Sequence, residues 1–166
     1  MDKITIEKSE LIAQYEKMNS TGRTLMERLF GADMFTPKDI TERVKTFEDA
    51  LAILGTTDKL VTGYYRLISD DSIPDDIIAK MKLKIIAKVL NEGWESVFDG
   101  QQRRYFPQFY LYPDKDKVVV AYIGTTHECT HASALISPSL TYKSSELAAY
   151  SGMHFHNIWR DLLIGR

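Results

Sequence analysis

Apolar residues in the first half of the chain recur three and four positions apart, which is the spacing of a helix buried along one side. One such run covers residues 25–30. Thr46 and Gly55 are residue types expected at the start and the end of another helix. The clearest run covers residues 77–90 and is followed by Gly93. The pattern therefore predicts short helices in the N-terminal third and one long amphipathic helix in the middle of the chain.

The pattern of the second half is different. Residues 104–112 (RYFPQFYLY) and 117–124 (KVVVAYIG) are rich in aromatic and β-branched residues, and turn-forming residues 113–116 separate them, which predicts a β-hairpin. Residues 140–143 predict a third short strand, and an apolar stripe within residues 146–163 predicts one final helix. The predicted fold class is α+β, with short N-terminal helices, a small antiparallel three-stranded sheet and a C-terminal helix packed on it.

Length and composition limit the possible functions. The chain has 166 residues, and we predict a helical N-terminal extension over residues 1–45 and an α+β core domain over residues 46–166. Charged residues make up 27% of the chain and the net charge is −2, which argues against binding to bulk nucleic acid or anionic membranes. The single cysteine, Cys129, excludes an internal disulfide. We expect no signal peptide, because the N-terminus MDKITIEKSE is charged and lacks an apolar segment. We expect no membrane span, because no apolar run approaches the roughly 18–20 residues that a span needs.

One short motif points to a metal. The sequence His127-Glu128-Cys129-Thr130-His131 matches the H-E-x-x-H pattern of zinc proteases. Two histidines four residues apart on a helix can bind one zinc ion, and the glutamate between them can act as general base on a metal-bound water. One hypothesis is therefore a zinc hydrolase with His127 and His131 as metal ligands and Glu128 as the catalytic base.

The surroundings of this motif favour another interpretation. The motif lies between two predicted strands, has few apolar residues beside it, and is flanked by Gly124 and Ser133. A zinc site also needs a third ligand, and the available candidates are Glu146, His154 and His156. We therefore favour an inter-strand loop, predict no cofactor, and keep zinc as the alternative.

A third hypothesis concerns basic and aromatic residues. Lys80, Lys84 and Lys88 form a stripe on the long helix, and Arg103 and Arg104 precede an aromatic strand. Such a set can bind single-stranded nucleic acid, but we favour a solvated helix face for the lysines and a half-buried strand with solvated arginines. We do not expect nucleic acid as the main partner, because the net charge is negative. The predicted binding surface for a partner is Arg103, Arg104, Tyr105, Phe106, Phe109 and Tyr110.

Several segments, taken in order, resemble a known family. They are KTFEDALAILG (45–55), KLKIIAKVLNEGW (82–94), RRYFPQFYL (103–111) and YKSSELAAYSGMHFHNIWRDLL (142–163). This ordered set resembles an uncharacterised family of small proteins from phages and prophages of gut Bacteroidota. The resemblance implies a non-enzymatic accessory protein located in the host cytoplasm or in the virion. Its 18 aromatic residues and the lack of a coherent catalytic set suggest that it binds a protein partner or itself.

Overall fold

Helices and one antiparallel hairpin make up the fold. The computed structural model describes residues 6–35, 39–97, 99–115, 117–129 and 137–165. Its helices in this part of the chain are α1 (Lys8–Lys17), α2 (Ser20–Phe30), α3 (Ile40–Arg43), α4 (Phe47–Leu54), α5 (Lys59–Ile68), α6 (Asp75–Leu90), α7 (Ser145–His154) and α8 (His156–Ile164). Its strands are β1 (Arg104–Asp114) and β2 (Lys117–Glu128). The α+β class is thereby confirmed. Among the described residues, no helix has the length and apolar character to cross a membrane.

The chain divides into two compact units, Met1–Lys38 and Asp39–Arg166. The first contains α1 and α2. The Asn19 side chain caps α2 by accepting a hydrogen bond of 2.9 Å from the Gly22 amide. The Tyr15 ring stacks on Phe35 with a centroid distance of 4.4 Å, and its hydroxyl donates a hydrogen bond to Glu27. Stacking and hydrogen bonding by one residue therefore stabilise the helix pair.

The second unit begins earlier than residue 46, the start of the predicted core domain. Ile40 of α3 and Val44 just after it are both buried in the main core. The Tyr150 hydroxyl donates to the carbonyl oxygen of Val44 at 2.7 Å and so satisfies a carbonyl at the end of this short helix. Residues 39–45 therefore belong to the α+β unit rather than to an N-terminal extension.

The start of α4 is fixed by a reciprocal cap. The Thr46 hydroxyl accepts from the Asp49 amide at 3.2 Å, and the Asp49 carboxylate accepts from the Thr46 amide at 2.8 Å. Gly55 ends the helix at φ 75°, a left-handed value that favours glycine. The predictions from Thr46 and Gly55 are both confirmed, because each signal is local to the helix end it determines.

The core surrounds α6, the long helix predicted from the apolar pattern. Leu83, Ile85, Ile86 and Leu90 have no exposed surface. Helices α4, α5 and α8 pack against this helix. Its second half is therefore buried around much of its circumference, and the prediction of a long amphipathic helix is confirmed.

A buried hydroxyl connects two aromatic residues of the core. The Ser151 side chain on α7 lies 2.6 Å from the Tyr142 hydroxyl and accepts from the Trp159 indole nitrogen at 3.1 Å. All three residues are buried. Their polar atoms therefore bond one another in place of water, which avoids the free-energy cost of burying them unpaired.

Burial of Tyr142 makes stability depend on alkaline pH. Burial raises the pKa of its hydroxyl above the usual value near 10. The folded state therefore holds the phenol proton more tightly than the unfolded state, so stability is fully present below pH 10 and is lost as the pH rises further. We expect the urea midpoint to fall above pH 10, by an amount equivalent to about 1.4 kcal/mol per pH unit for one tyrosine. The Tyr142→Phe variant should show a shallower decline, and an equal decline would contradict the assignment to Tyr142.

The sheet has two strands in the described part of the chain, joined as the predicted hairpin. The register pairs Phe109 with Tyr122 and Gln108 with Gly124, which leaves Ile123 as an extra residue in β2. This bulge lies next to Gly124, whose φ of 141° is unfavourable for a residue with a side chain. The hairpin is confirmed, and β2 extends four residues beyond the predicted end at Gly124.

The predicted third strand at residues 140–143 is not confirmed. Only Tyr142 pairs with the sheet, through a bridge to Tyr105. The side chain of Asn91 donates to the Thr141 carbonyl at 2.8 Å and accepts from the Lys143 amide at 2.9 Å. Because this side chain takes the backbone groups on both sides of Tyr142, they are not available for a strand ladder.

The prediction of one helix over residues 146–163 is wrong in its number of helices, because the segment contains two. Phe155 leaves the helical conformation, with φ −104° and ψ 29°, and separates α7 from α8. Both Phe155 and Trp159 are nevertheless buried in the core. The break therefore preserves the predicted apolar stripe while dividing the helix.

Candidate functional site

One face of the hairpin packs directly on α7 and α8. Gly152 of α7 is buried, and a Cβ atom at this position would lie 2.7 Å from Pro107 Cβ and 2.7 Å from the Tyr122 ring. The Phe109 ring lies 5.5 Å from the Trp159 ring, and His156 donates from Nε2 to the Val120 carbonyl at 2.9 Å. This face therefore belongs to the interior of the protein.

The opposite face of the hairpin is apolar and open to solvent in the half nearer the tip, whereas Arg104 and Phe106 on the same side of β1 are buried. Successive side chains of a strand point to opposite faces, so Tyr110 and Tyr112 lie on the face away from Phe109. Their rings are 6.0 Å apart, as expected for neighbours on one face. Tyr110 and Ile123 are each 60% exposed. We call this surface the outer face and define it by Tyr110, Tyr112, Val119, Ala121 and Ile123, none of which is charged.

The free edge of β2 lies beside the outer face. Within the described ranges, no strand pairs with β2 on the side away from β1. Before the bulge, its residues Val118–Tyr122 include neither a charged residue nor a proline. Proteins commonly protect edge strands with charges or prolines, and β1 does carry Pro107 and Pro113. The edge of β2 therefore lacks this protection, although the Val120 carbonyl within it accepts a hydrogen bond from His156.

The predicted binding surface is only partly available for a partner. Arg103 and Tyr110 are exposed, and Tyr105 and Phe109 are half-buried. Arg104 and Phe106 are buried, so neither side chain is available to a partner in this structure. The same burial removes Arg104 from the basic surface predicted together with Lys80, Lys84 and Lys88. A surface made from all six predicted residues therefore does not exist.

The predicted metal residues lie in a strand as far as they are described. His127 and Glu128 end β2, whereas His131 lies outside the described residues. Adjacent residues of a strand point to opposite faces, and the zinc-protease arrangement requires them on a helix. Within the described residues, no three His, Cys, Asp or Glu side chains come together as a metal site would require.

Glu128 instead forms part of a buried ion pair. Its carboxylate lies 3.5 Å from a guanidinium nitrogen of Arg104, its cross-strand neighbour in the register. The Arg104 side chain has no exposed surface, and Nη1 donates to the Val97 carbonyl at 2.8 Å. A carboxylate in this position supports the hairpin and the chain segment before it, rather than facing solvent as the general base of a cleft would.

The three candidates for a third metal ligand have other surroundings. Glu146 is exposed on the first turn of α7. The ring of His154 stacks on Tyr150 with a centroid distance of 4.8 Å and hydrogen bonds to the Lys45 carbonyl. His156 is occupied by the Val120 carbonyl. Both histidines therefore take part in packing between elements.

Comparison with protein-family models, curated proteins and solved structures finds no match. The outer face is therefore interpreted from its own geometry. Tyr112 and Ile123 were missed from the sequence, because residues 118–123 are all apolar or aromatic and show no alternation that would separate the two faces. Placing Ile123 outward requires the register of the hairpin and the position of its bulge.

Proposed function

We propose that this protein is a non-enzymatic accessory protein of phage or prophage type that associates through the hairpin. The observation that carries the proposal is the outer face, an uncharged apolar surface beside an unprotected strand edge. Exposed apolar surface of this kind is unfavourable in water, and in soluble proteins it commonly marks an interaction site. Tyrosine is also enriched at interfaces, because it contributes a large area with little loss of side-chain freedom.

We further propose that the first partner is a second copy of the chain. Two β2 edges can pair antiparallel about a twofold axis, since such an interface presents the same segment from each side. Pairing would convert two hairpins into one four-stranded sheet and would satisfy edge backbone groups that no strand pairs in the described part of the chain. Outer-face side chains near the two edges would then lie beside those of the second copy, which would bury part of this apolar surface.

The Ile123→Lys variant tests this proposal. A charge beside the edge opposes strand pairing and removes apolar contact area, so we expect dimer affinity to fall at least tenfold, on the order of 1.4 kcal/mol. Monomer stability should change by less than about 0.5 kcal/mol, because Ile123 is exposed. Sedimentation velocity over a concentration series measures the affinity.

Ile53→Lys provides the matched control. Ile53 is an exposed isoleucine on α4, outside the hairpin, and its replacement should leave association unchanged. Equal weakening by both variants would indicate a general charge effect and would contradict the proposal. A wild-type chain that remains monomeric at high concentration would also contradict self-association through this edge.

A further inference from the structure

A second surface feature lies at the C-terminal end of α6. It is a cavity of about 380 Å³, within the range of small-molecule sites. Lys84 and Lys88 of α6 line one side, and Trp94, Ser96 and Ser139 are among the other residues that line it. The cavity thus combines an aromatic ring, hydroxyl groups and lysines.

The part of the chain that carries Trp94 is held in place. The Trp94 amide donates to the Asn91 carbonyl at 2.9 Å, and both polar atoms of the Asn91 side chain are bonded to residues 141 and 143. Glu92 forms an ion pair of 3.0 Å with Lys143. The backbone at Trp94 is therefore already ordered. Binding of a ligand costs little further conformational entropy there, which favours affinity.

Ser96 provides an independent sign of a ligand. Its hydroxyl oxygen is shielded from solvent and has no hydrogen-bond partner in the part of the chain that the structure describes. Buried polar atoms are nearly always hydrogen-bonded, so one without a partner needs an explanation. Because Ser96 lines the cavity, rotation of its side chain would bring this hydroxyl to an oxygen atom of a bound ligand, which would accept a hydrogen bond from it.

The charges at the cavity favour a small anion. Lys88 contacts Asp58 at 2.6 Å, and this hydrogen bond holds the pKa of the Asp58 carboxyl below its usual value. Lys84 forms no ion pair among the described residues and so provides the uncompensated positive charge. Glu95 also lines the cavity and opposes binding of a highly charged anion. One phosphate group fits this balance better than a long polyanion.

We propose that this cavity binds one nucleotide, with the base against the indole of Trp94 and the phosphate near Lys84 and Ser96. Aromatic side chains stack on bases of every type, so the proposal concerns the nucleotide class rather than one base. A free mononucleotide and one nucleotide of a single strand share this chemistry. The site is separate from the outer face, and its failure would leave the proposed function untouched.

Fluorescence of the full chain tests the proposal. The only other tryptophan, Trp159, is buried in the core. A nucleotide in the cavity should therefore quench the fluorescence of Trp94. We expect saturable quenching by AMP and by UMP, and none by inorganic phosphate alone. Trp94→Leu should weaken binding roughly tenfold in calorimetry, because stacking is lost.

Lys84→Gln and Lys80→Gln form a matched pair. Both lysines lie on α6, but Lys80 does not line the cavity, so only Lys84→Gln should weaken binding, by about threefold to tenfold. Equal weakening by both variants would assign binding to the lysine stripe and overturn the proposal. The absence of saturable quenching at millimolar nucleotide would also overturn it.

Binding of a deoxythymidine decamer shows whether the ligand is a free nucleotide or one nucleotide of a single strand. Much tighter binding of the decamer, abolished by Lys84→Gln, identifies a strand, and affinity equal to that of UMP identifies the free nucleotide.

Discussion

Gly152→Ala should lower the free energy of unfolding by about 3 kcal/mol, the upper end of the range for overpacking a core. The added Cβ would meet two neighbours at 2.7 Å, and neither can move easily. Pro107 is constrained by its ring and by strand pairing with Thr125, and the Tyr122 ring lies beside Phe109. Relief requires α7 to move away from the sheet. Urea unfolding followed by circular dichroism measures the loss.

Gly63→Ala is the control for this prediction. Gly63 also lies inside a helix, α5, and the nearest atom to an added Cβ is the flexible end of Met81 at 3.7 Å. Alanine has a higher helix propensity than glycine, so stability should stay equal or rise by up to about 1 kcal/mol. Comparable losses from Gly63→Ala and Gly152→Ala would show that the close approach of α7 to the sheet is not the cause.

Arg104→Met is expected to have the second large effect, a loss of about 3–5 kcal/mol. Removing the guanidinium leaves the buried Glu128 carboxylate without its opposite charge, and the magnitude is that measured for broken buried ion pairs. The hydrogen bond to the Val97 carbonyl is lost as well. Thermal and urea unfolding near neutral pH give the value.

The double variant Arg104→Met with Glu128→Leu distinguishes charge from packing. If loss of the Arg104–Glu128 charge pair dominates, removing both charges should recover most of the stability, because apolar replacements of buried pairs are often well tolerated. No recovery in the double variant would refute this explanation and would assign the loss to the shape and hydrogen bonds of Arg104.

The parts of the fold that were correctly predicted are those with local signals. The cap at Thr46, the glycine after α6 and the turn residues of the hairpin each act within a few residues of the structure they determine. Helix α5 was missed, although Asp58 caps it and Val61 and Tyr64 are buried at helical spacing. Its sequence also contains Gly63 and several β-branched and aromatic residues, which obscure a helix when propensity alone is considered.

The parts that were not predicted depend on distant contacts. Residues 140–143 have the composition of a strand, but the side chain of Asn91, 50 residues away, takes the backbone groups beside Tyr142. Arg104 looked like a surface arginine because nothing local indicates that Glu128 lies opposite it. Burial of a charged residue follows from its partner, and the partner follows from the strand register.

The two hydrogen bonds of the Asn91 side chain allow the hairpin to change in length. They tie the end of α6 to residues 141 and 143, so the hairpin lies within a loop whose ends are held together independently of its length. The entropy of closing such a loop rises slowly with added residues. Insertions or deletions near the tip of the hairpin, around Lys115, can therefore lengthen or shorten the hairpin while the helices stay in place. A chain with a longer or shorter hairpin can therefore keep the same arrangement of helices.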